Sequence, residues 1–329
     1  MTASVKVYHD SDADLSIVQN KRVTFVGFGN QGAAQAQNLR DSGVKSITIG
    51  NRDDEYKPRA IEAGFEVKSI SESVKDAEVI FLLIPDEVQK EVWNEQIKDN
   101  VAHNSLLVVA SGYSVAFNLL DIPATMDVVM VAPRMIGAGV RDRFVAKEPY
   151  PCFVSVEKDA TGKAQEIALS CSRAIGATLG GAVSSSCREE AAIDLFAEQA
   201  LWPAINTCFR EAFSVLSAAG FSEEAILHDM YLSKEPSEVF ERAATVGFFR
   251  QLKYHSPTSQ FGQLRGTKNS DGKALHAQFE KVLHKDILSG EFAKFWSDPK
   301  GSGSQELEQL WKESESEPIS LAEKKIGLH

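Results

Sequence analysis

The sequence predicts an α/β protein in which a doubly wound parallel sheet is followed by an all-helical domain. Apolar runs of strand length alternate with helical patterns up to about Val183, and this alternation is typical of βαβ units. Beyond Ser184, glycine and proline become rarer and no clear strand remains. Long helical patterns take over, at Arg188–Ser217, Glu223–Tyr231, Glu235–Leu252 and Ala274–Leu288. We therefore predict two domains in the 329-residue chain, at residues 1–184 and 185–329.

The predicted strands of the first domain are short and rich in β-branched residues. They lie at Val5–Tyr8, Val23–Val26, Ser46–Ile49, Gly64–Val67, Val79–Ile84, Asn104–Ala110, Val128–Ala132 and Phe153–Val156. Three successive strands end in turns that carry Pro85-Asp86, Ser111-Gly112 and Pro133-Arg134. Because parallel strands present their carboxyl ends at one edge of the sheet, we expect these turns to line a ligand crevice.

A glycine-rich turn follows the strand at Val23–Val26. Gly27, Gly29 and Gly32 form a G-x-G-x-x-G pattern, and a helical pattern then runs to Gly43. In this context the first glycine permits a tight turn, the second lets the backbone approach a pyrophosphate, and the third lets the helix pack on the strand. The helix N-terminus favours phosphate. The pattern predicts dinucleotide binding.

The cofactor type depends on the residues after the second strand of this unit. Arg52 stands where an arginine accommodates the 2′-phosphate of NADP, which favours NADPH. Asp53, Asp54 and Glu55 follow at once and argue against a bound phosphate. We predict NADPH, and NADH stays open as the alternative.

The composition excludes several classes of partner. A formal net charge of −11 argues against nucleic acid and anionic membranes. The four cysteines show no CxxC spacing and are expected to be reduced structural thiols. No apolar run reaches membrane-spanning length, and the acidic N-terminus has no signal-type apolar core. We expect a cytoplasmic protein that acts on a small molecule, with a peripheral polar tail from Lys300 onward.

The helical domain contains an acidic pair at helical spacing. Asp194 and Glu198 lie four residues apart, so a helix places both side chains on one face. Their neighbours are largely apolar, which predicts a buried helix whose paired charges need a metal, a basic side chain or a cationic substrate. A solvated acidic edge is the alternative. Glu189 and Glu190 are expected to serve the helix dipole, and Ser256, in a polar loop, could hold a substrate carboxylate.

The chain resembles class I ketol-acid reductoisomerase over nearly its whole length. The matching segments, in the family's order, are GFGNQG with AQNLRDSG, IPDEVQKEVWNEQIK, MDVVMVAPR, PCFVSVEKDATGKA, REEAAIDLFAEQ and SGEFAKFW. The resemblance implies a Rossmann domain, a knotted helical domain, a homodimer and an NADPH site. By position it places cofactor contacts at Gly27, Phe28, Gly29, Asn30, Gln31, Gly32, Arg52, Asp86, Gln89 and Gly137.

Several residues depart from the family pattern. Ser111 stands in place of a histidine and Arg134 in place of a lysine. Of the family's two magnesium-binding carboxylate pairs, the first is retained as Asp194 and Glu198, whereas the second falls at Asp229 and Ser233. The family's substrate-binding serine is retained as Ser256.

These departures predict a reductase that has lost the isomerisation step. Alkyl migration needs an alkoxide and a polarised ketone at once, which two metal ions stabilise. A protonated imine needs no metal, and Asp194, Glu198 or Asp229 could stabilise its charge, with Ser111 and Arg134 at the substrate end. The chain also resembles reductoisomerase-like imine reductases of specialised metabolism, so we predict reduction of a cyclic ketimine or imino acid of pipecolate type.

Two alternatives stay open. One is a ketol-acid reductoisomerase or 2-keto acid reductase that retains magnesium at Asp194 and Glu198. The other is a non-catalytic cofactor-binding relative, which the intact glycine pattern disfavours. Whether magnesium is bound is left undecided.

Overall fold

The computed structural model describes residues 5–298 and 302–328. Its strands are β1 (Val7–Tyr8), β2 (Arg22–Val26), β3 (Ser46–Gly50), β4 (Glu66–Lys68), β5 (Val79–Leu82), β6 (Leu106–Val109), β7 (Asp127–Pro133), β8 (Cys152–Lys158) and β9 (Ala182–Ser184). They form one sheet in the order β1-β9-β8-β7-β6-β5-β2-β3-β4. The chain divides into two compact units, here called the N-terminal unit, which ends at Ile193, and the C-terminal unit, which begins at Asp194.

The helices of the N-terminal unit connect these strands. They are α1 (Leu15–Gln19), α2 (Asn30–Asp41), α3 (Tyr56–Glu62), α4 (Ile70–Ser73), α5 (Asp86–Val92), α6 (Tyr113–Ala116), α7 (Gly137–Ala146), α8 (Ala164–Ala174) and the first part of α9 (Cys187–Phe196). Three further turns have other helical windings, at Asp10–Asp12, Trp93–Ile97 and Ala177–Leu179.

The sheet is parallel from β4 through β7, as predicted, and changes direction at its other edge. β7 pairs with β8 antiparallel, and β1 pairs with β9 antiparallel. The chain runs from β2 outward to β3 and β4 and then returns to β5 on the other side of β2. This reversal makes the carboxyl ends of β2 and β5 the topological switch point, where open α/β sheets bind ligands.

Alternate residues of the central strands enter two apolar cores, as expected for strands that are covered on both faces. On one side the Phe25 and Phe81 rings of β2 and β5 stack with centroids 4.5 Å apart. On the other side Val26 and Leu82 pack around the buried Trp93. The central strands are therefore rigid supports for the turns at their ends.

The C-terminal unit is entirely helical within its described residues. Its helices are the end of α9, α10 (Trp202–Ala218), α11 (Glu223–Leu227), α12 (Glu235–Val246), α13 (Pro257–Asn269), α14 (Gly272–Lys281), α15 (Glu291–Trp296), α16 (Ser302–Ser314) and α17 (Pro318–Lys325). Wider π-helical turns occur at Ala197–Leu201, His228–Leu232 and Val282–Ile287, and a 3₁₀ turn occurs at Arg250–Tyr254. The fold class is thus the predicted one, while the knot stays a prediction.

The predicted helix boundaries need two corrections. The helix predicted over 235–252 ends at Val246, because Gly247 takes a φ of +103° that breaks the winding. The segment after Ser256, expected as a loop, begins α13.

The polar tail is not merely peripheral. Ala322 of α17 is buried in a core with Phe213, Ile226 and Leu227, and the Tyr231 hydroxyl hydrogen-bonds to the Glu323 carboxylate. Charged residues predicted an exposed extension, but one face of α17 carries the apolar side chains that α10 and α11 need. Of the helices described, none combines the length and apolar character of a membrane span.

Candidate cofactor and substrate site

The glycine turn after β2 has the geometry that its sequence predicts. Gly27 takes a φ of +98°, and a Cβ there would lie 2.7 Å from the Leu83 carbonyl oxygen at the end of β5. A Cβ on Gly29 would meet no heavy atom within 4 Å, so this backbone faces open space. A Cβ on Gly32 would overlap the Gly27 carbonyl oxygen. The turn is closed toward the protein and open at Gly29, where a pyrophosphate would approach.

The residues around this turn are held by hydrogen bonds between elements. Gln31 Nε2 donates to the Met135 carbonyl oxygen at 2.9 Å, which joins the start of α2 to the turn after β7. Gly137 packs on the Asn30 carbonyl so closely that any Cβ would overlap it. The Phe28 side chain is buried edge-to-face against Phe65, so its backbone, rather than its ring, belongs to the turn.

Asp86 and Gln89 lie in the turn and first helical residues after β5. Gln89 is buried and donates from Nε2 to the Ile84 carbonyl oxygen and to Asp86 Oδ1, both at 2.9 Å. The buried Gln89 side chain therefore fixes the conformation of this turn. The two residues follow β5, one of the two strands at the switch point.

Arg52 is exposed on the loop after β3 and is paired within that loop. Its Nε lies 2.7 Å from Asp54 Oδ2, and Asn51 Nδ2 and the Tyr56 N–H donate to Asp54 Oδ1 at 2.8 and 3.0 Å. Burial acts to raise the pKa of Asp54, but these hydrogen bonds outweigh it, so the pKa lies below its ordinary value. The carboxylate in turn raises the pKa of Arg52. A 2′-phosphate would have to compete with Asp54 for this guanidinium.

At the carboxyl ends of β6 and β7, the two turns that follow these strands are joined by a buried carboxylate. Glu190 of α9, only 1% exposed, lies with Oε1 2.6 Å from Arg134 Nη1 and accepts the Gly112 N–H on Oε2 at 2.6 Å. The Arg134 guanidinium also lies 4.9 Å above the Phe153 ring. Ser111 is half-buried beside Gly112, and its Oγ accepts the Tyr113 N–H at 3.3 Å.

Glu190 corrects an expectation from the sequence. We expected it to serve the helix dipole, but its side chain points to two residues that lie 78 and 56 positions earlier in the chain. Arg134 is the sequence feature that could have revealed this contact, because an arginine at the end of a buried strand needs a carboxylate partner.

Cys187, at the start of α9, lies next to this cluster and is chemically inert. Burial raises the pKa of its thiol, and the nearby Glu157 and Glu190 carboxylates raise it further. A Cβ on Gly112 would overlap the Cys187 carbonyl oxygen, so the helix start and the turn are in direct backbone contact.

The acidic pair lies on a less buried helix than predicted. Asp194 is half-buried and Glu198 is exposed. Leu195 and Ala200 are buried as expected, but Ile193, Leu201 and Trp202 are 49%, 42% and 48% exposed. The prediction of a largely buried helix is wrong for the single chain, because no element described in it covers this apolar face. The winding also widens to a π-turn at Ala197–Leu201, which includes Glu198.

The remaining predicted residues lie elsewhere in the C-terminal unit. Asp229 is exposed on the π-turn at His228–Leu232. Ser256 is exposed and caps α13, its Oγ accepting the Ser259 N–H at 3.2 Å. Across residues 5–298 and 302–328, no group of three or more His, Cys, Asp or Glu side chains could hold a metal ion.

Two family models match the chain. The model described as acetohydroxy acid isomeroreductase, NADPH-binding domain, matches residues 17–181. The model described as ketol-acid reductoisomerase, C-terminal domain, matches residues 187–327. The N-terminal unit therefore carries an NADPH-binding domain, in agreement with the open glycine turn.

Full-length relatives agree with these models. Putative ketol-acid reductoisomerase 3 of Saccharolobus solfataricus is 39% identical over 322 residues, which cover 96% of this chain and 95% of the relative. Ketol-acid reductoisomerase (NADP(+)) of Kocuria rhizophila is 36% identical, with 98% and 94% covered. The structure of an NADH-preferring ketol-acid reductoisomerase from an uncultured archaeon superimposes with a TM-score of 0.91 at 28% identity, covering 98% of both chains. This chain belongs to the ketol-acid reductoisomerase family and is an NAD(P)H-dependent oxidoreductase of that type.

Proposed function

We propose that this protein reduces a small acid with a C=O or C=N bond at carbon 2, and that it has lost the alkyl migration of its family. When bound, the nicotinamide cofactor supplies the hydride. The observation that carries the proposal is the Arg134–Glu190 pair at the end of β7, with Nη1 and Oε1 2.6 Å apart. The resemblance places a lysine at residue 134, and an arginine tied to a buried carboxylate is permanently charged and cannot donate a proton.

The donor set in the C-terminal unit supports the same proposal. Asp194 and Glu198 can each offer a carboxylate to a metal ion. At the positions of the second carboxylate pair, Asp229 is a shorter acid and Ser233 is not an acid. Two metal ions that hold an alkoxide and a ketone together need more negative ligands than these residues provide.

A cyclic ketimine or imino acid, of the type that gives pipecolate, fits the remaining groups. Its protonated C=N bond carries a positive charge, which Asp194 and Glu198 could stabilise. Hydride adds to carbon 2, the π electron pair moves to nitrogen, and the nitrogen already holds its proton. Arg134, and Ser256 if the site includes it, would bind the carboxylate of this substrate.

The second candidate is a magnesium-dependent ketol-acid reductoisomerase. The matches to both family domains and the names of the relatives favour it over the imine reductase. In this case Asp194 and Glu198 would hold magnesium. A 2-keto acid reductase that uses the same pair is an intermediate possibility.

One assay separates these candidates. The purified protein is mixed with NADPH or NADH, with magnesium or with EDTA, and offered 2-acetolactate, a 3-hydroxy-2-keto acid or a cyclic imino acid. Absorbance of the reduced nicotinamide reports turnover. We expect the imino acid to be reduced in EDTA and acetolactate to be inert. Turnover of acetolactate at a rate like that of the hydroxy-keto acid would show that isomerisation is intact.

We also propose that the protein is a homodimer and that the second copy covers part of the C-terminal unit. α12, α13 and α14 contribute no fully buried side chain within the single chain. Phe240, Phe248, Phe249, Phe261 and Leu264 are each at least 50% exposed. So many exposed large apolar side chains are typical of an interface. Light scattering should give twice the chain mass of 36.0 kDa, and a monomer at micromolar concentration would contradict this proposal.

A further inference from the structure

The buried carboxylate of Glu190 contacts two turns at the carboxyl ends of neighbouring strands. Its side chain is 1% exposed, and a carboxylate at such a position requires both a positive partner and hydrogen bonds. Arg134 supplies the charge and the Gly112 N–H supplies a hydrogen bond, each at 2.6 Å from a different oxygen. One side chain thus links the turn after β6 to the turn after β7.

Arg134 is restrained in a second direction as well. Its guanidinium lies 4.9 Å over the Phe153 ring of β8, and cation–π contact favours the face of the ring. The planar guanidinium is therefore held by Glu190 at Nη1 and by Phe153 on one face. Its side chain still has 25% of its surface exposed, so an anion can reach it.

We infer that Glu190 is a positioning residue that orients Arg134, and with it the turn of Ser111, to bind the carboxylate of the substrate. The inference rests on the proposed function, in which Arg134 binds the carboxylate at carbon 1 of a 2-oxo or 2-imino acid, and it adds Glu190 as the residue that directs Arg134. Because Glu190 balances the charge of Arg134, recognition depends on the direction of the guanidinium N–H groups and not on net positive charge. A misdirected guanidinium should therefore bind the substrate poorly.

The neighbouring residue provides a matched control. Glu189 has the same side chain, is exposed, and accepts a hydrogen bond from the Ser185 hydroxyl at 2.6 Å. Glu189→Gln removes the same charge from the same helical turn without touching Arg134 or Gly112.

The test is a double-mutant cycle in the full-length holoenzyme. Parent, Glu190→Gln, Arg134→Met, the double variant and Glu189→Gln are compared with whichever of the three acids the parent reduces. KM for the acid, kcat, the Kd of NADPH and the Tm are measured for each. We expect Glu190→Gln to raise KM about tenfold, the size of a lost hydrogen bond to a charged group, with the Kd of NADPH changed less than about twofold.

The cycle distinguishes positioning from a structural role. If Glu190 acts through Arg134, the KM of the double variant is no higher than that of Arg134→Met. Its Tm is higher than that of Arg134→Met, because the single variant leaves the buried carboxylate of Glu190 without its positive partner. Effects on KM that multiply in the double variant, or an active Glu190→Gln with the parent's KM, would overturn the inference. A parent that reduces none of the acids contradicts the proposed function itself, and this result is distinguishable because it appears before any variant is compared.

Discussion

Gly32 of α2 lies so close to the Gly27 carbonyl oxygen that a Cβ on Gly32 would overlap it, whereas a Cβ on Gly29 would meet no heavy atom within 4 Å. The two positions belong to one pattern but have separable roles. Gly32 serves the packing of the fold, and Gly29 serves the approach of the cofactor.

This difference predicts opposite results for two alanine variants. Gly29→Ala should keep the parent's Tm and weaken NADPH binding by about tenfold or more, because the methyl group enters the space of the pyrophosphate. Gly32→Ala should lower the free energy of unfolding by about 1–3 kcal/mol, the usual range for overpacking. Urea denaturation without cofactor and fluorescence titration with NADPH measure the two effects. Equal loss of stability in both variants would contradict the assignment.

Asp54 should set the choice between the two nicotinamide cofactors. Asp54→Asn removes the charge that holds Arg52, so the guanidinium becomes available to the 2′-phosphate of NADPH. We expect the ratio of kcat/KM for NADPH over NADH to rise about two- to fivefold, as suits a partly exposed ion pair. The control is Asp53→Asn, because the Asp53 side chain is 91% exposed and pairs with Lys57 and not with Arg52. A ratio that rises equally in both variants would mean that only overall charge matters.

Asp194 should matter most for a cationic substrate. In EDTA, Asp194→Asn should lower kcat/KM for the cyclic imino acid by about a hundredfold, because it removes a charge that stabilises the protonated C=N bond. Glu189→Gln should leave this value within about twofold of the parent. If Asp194→Asn has full activity in EDTA, the carboxylate does not face the substrate and the cationic mechanism is wrong.

The buried thiols predict lower stability in alkali. Burial raises the pKa of Cys152 and of Cys171 from 9.0 to about 12. The folded state therefore holds both protons more tightly than the unfolded state, so this contribution is complete below pH 9 and is lost as the pH rises toward 12. The free energy of unfolding should fall by about 1 kcal/mol per pH unit for each thiol. Urea unfolding between pH 8 and pH 10 tests this, and Cys171→Ala should have a shallower slope.

Local patterns predicted the conformation of the turns in the N-terminal unit well. The glycine turn, the strand ends at Asp86 and Arg134, and the conflict between Arg52 and the acids that follow it all depend on residues close in sequence or on strand order. In the structure, one of those acids, Asp54, forms an ion pair with Arg52.

Long-range contacts explain what the sequence did not reveal. Glu190 and Arg134 are 56 residues apart, so no local pattern connects them. The burial of Trp202 and Ile193 was overestimated, because apolar spacing predicts a buried face but these side chains are 48% and 49% exposed. The place of α17 was missed because its apolar residues match α10 and α11 far earlier in the chain.

The contact between Gly112 and the Cys187 carbonyl has a practical consequence for anyone who wishes to redirect this protein to new substrates. Saturation mutagenesis at residue 112 would yield misfolded clones, since no side chain fits against that backbone. Ser111 and Ile136 are better choices for randomisation, because Ser111 is only half-buried and Ile136 is 78% exposed. The useful diversity of a library therefore lies on either side of a position that must remain constant.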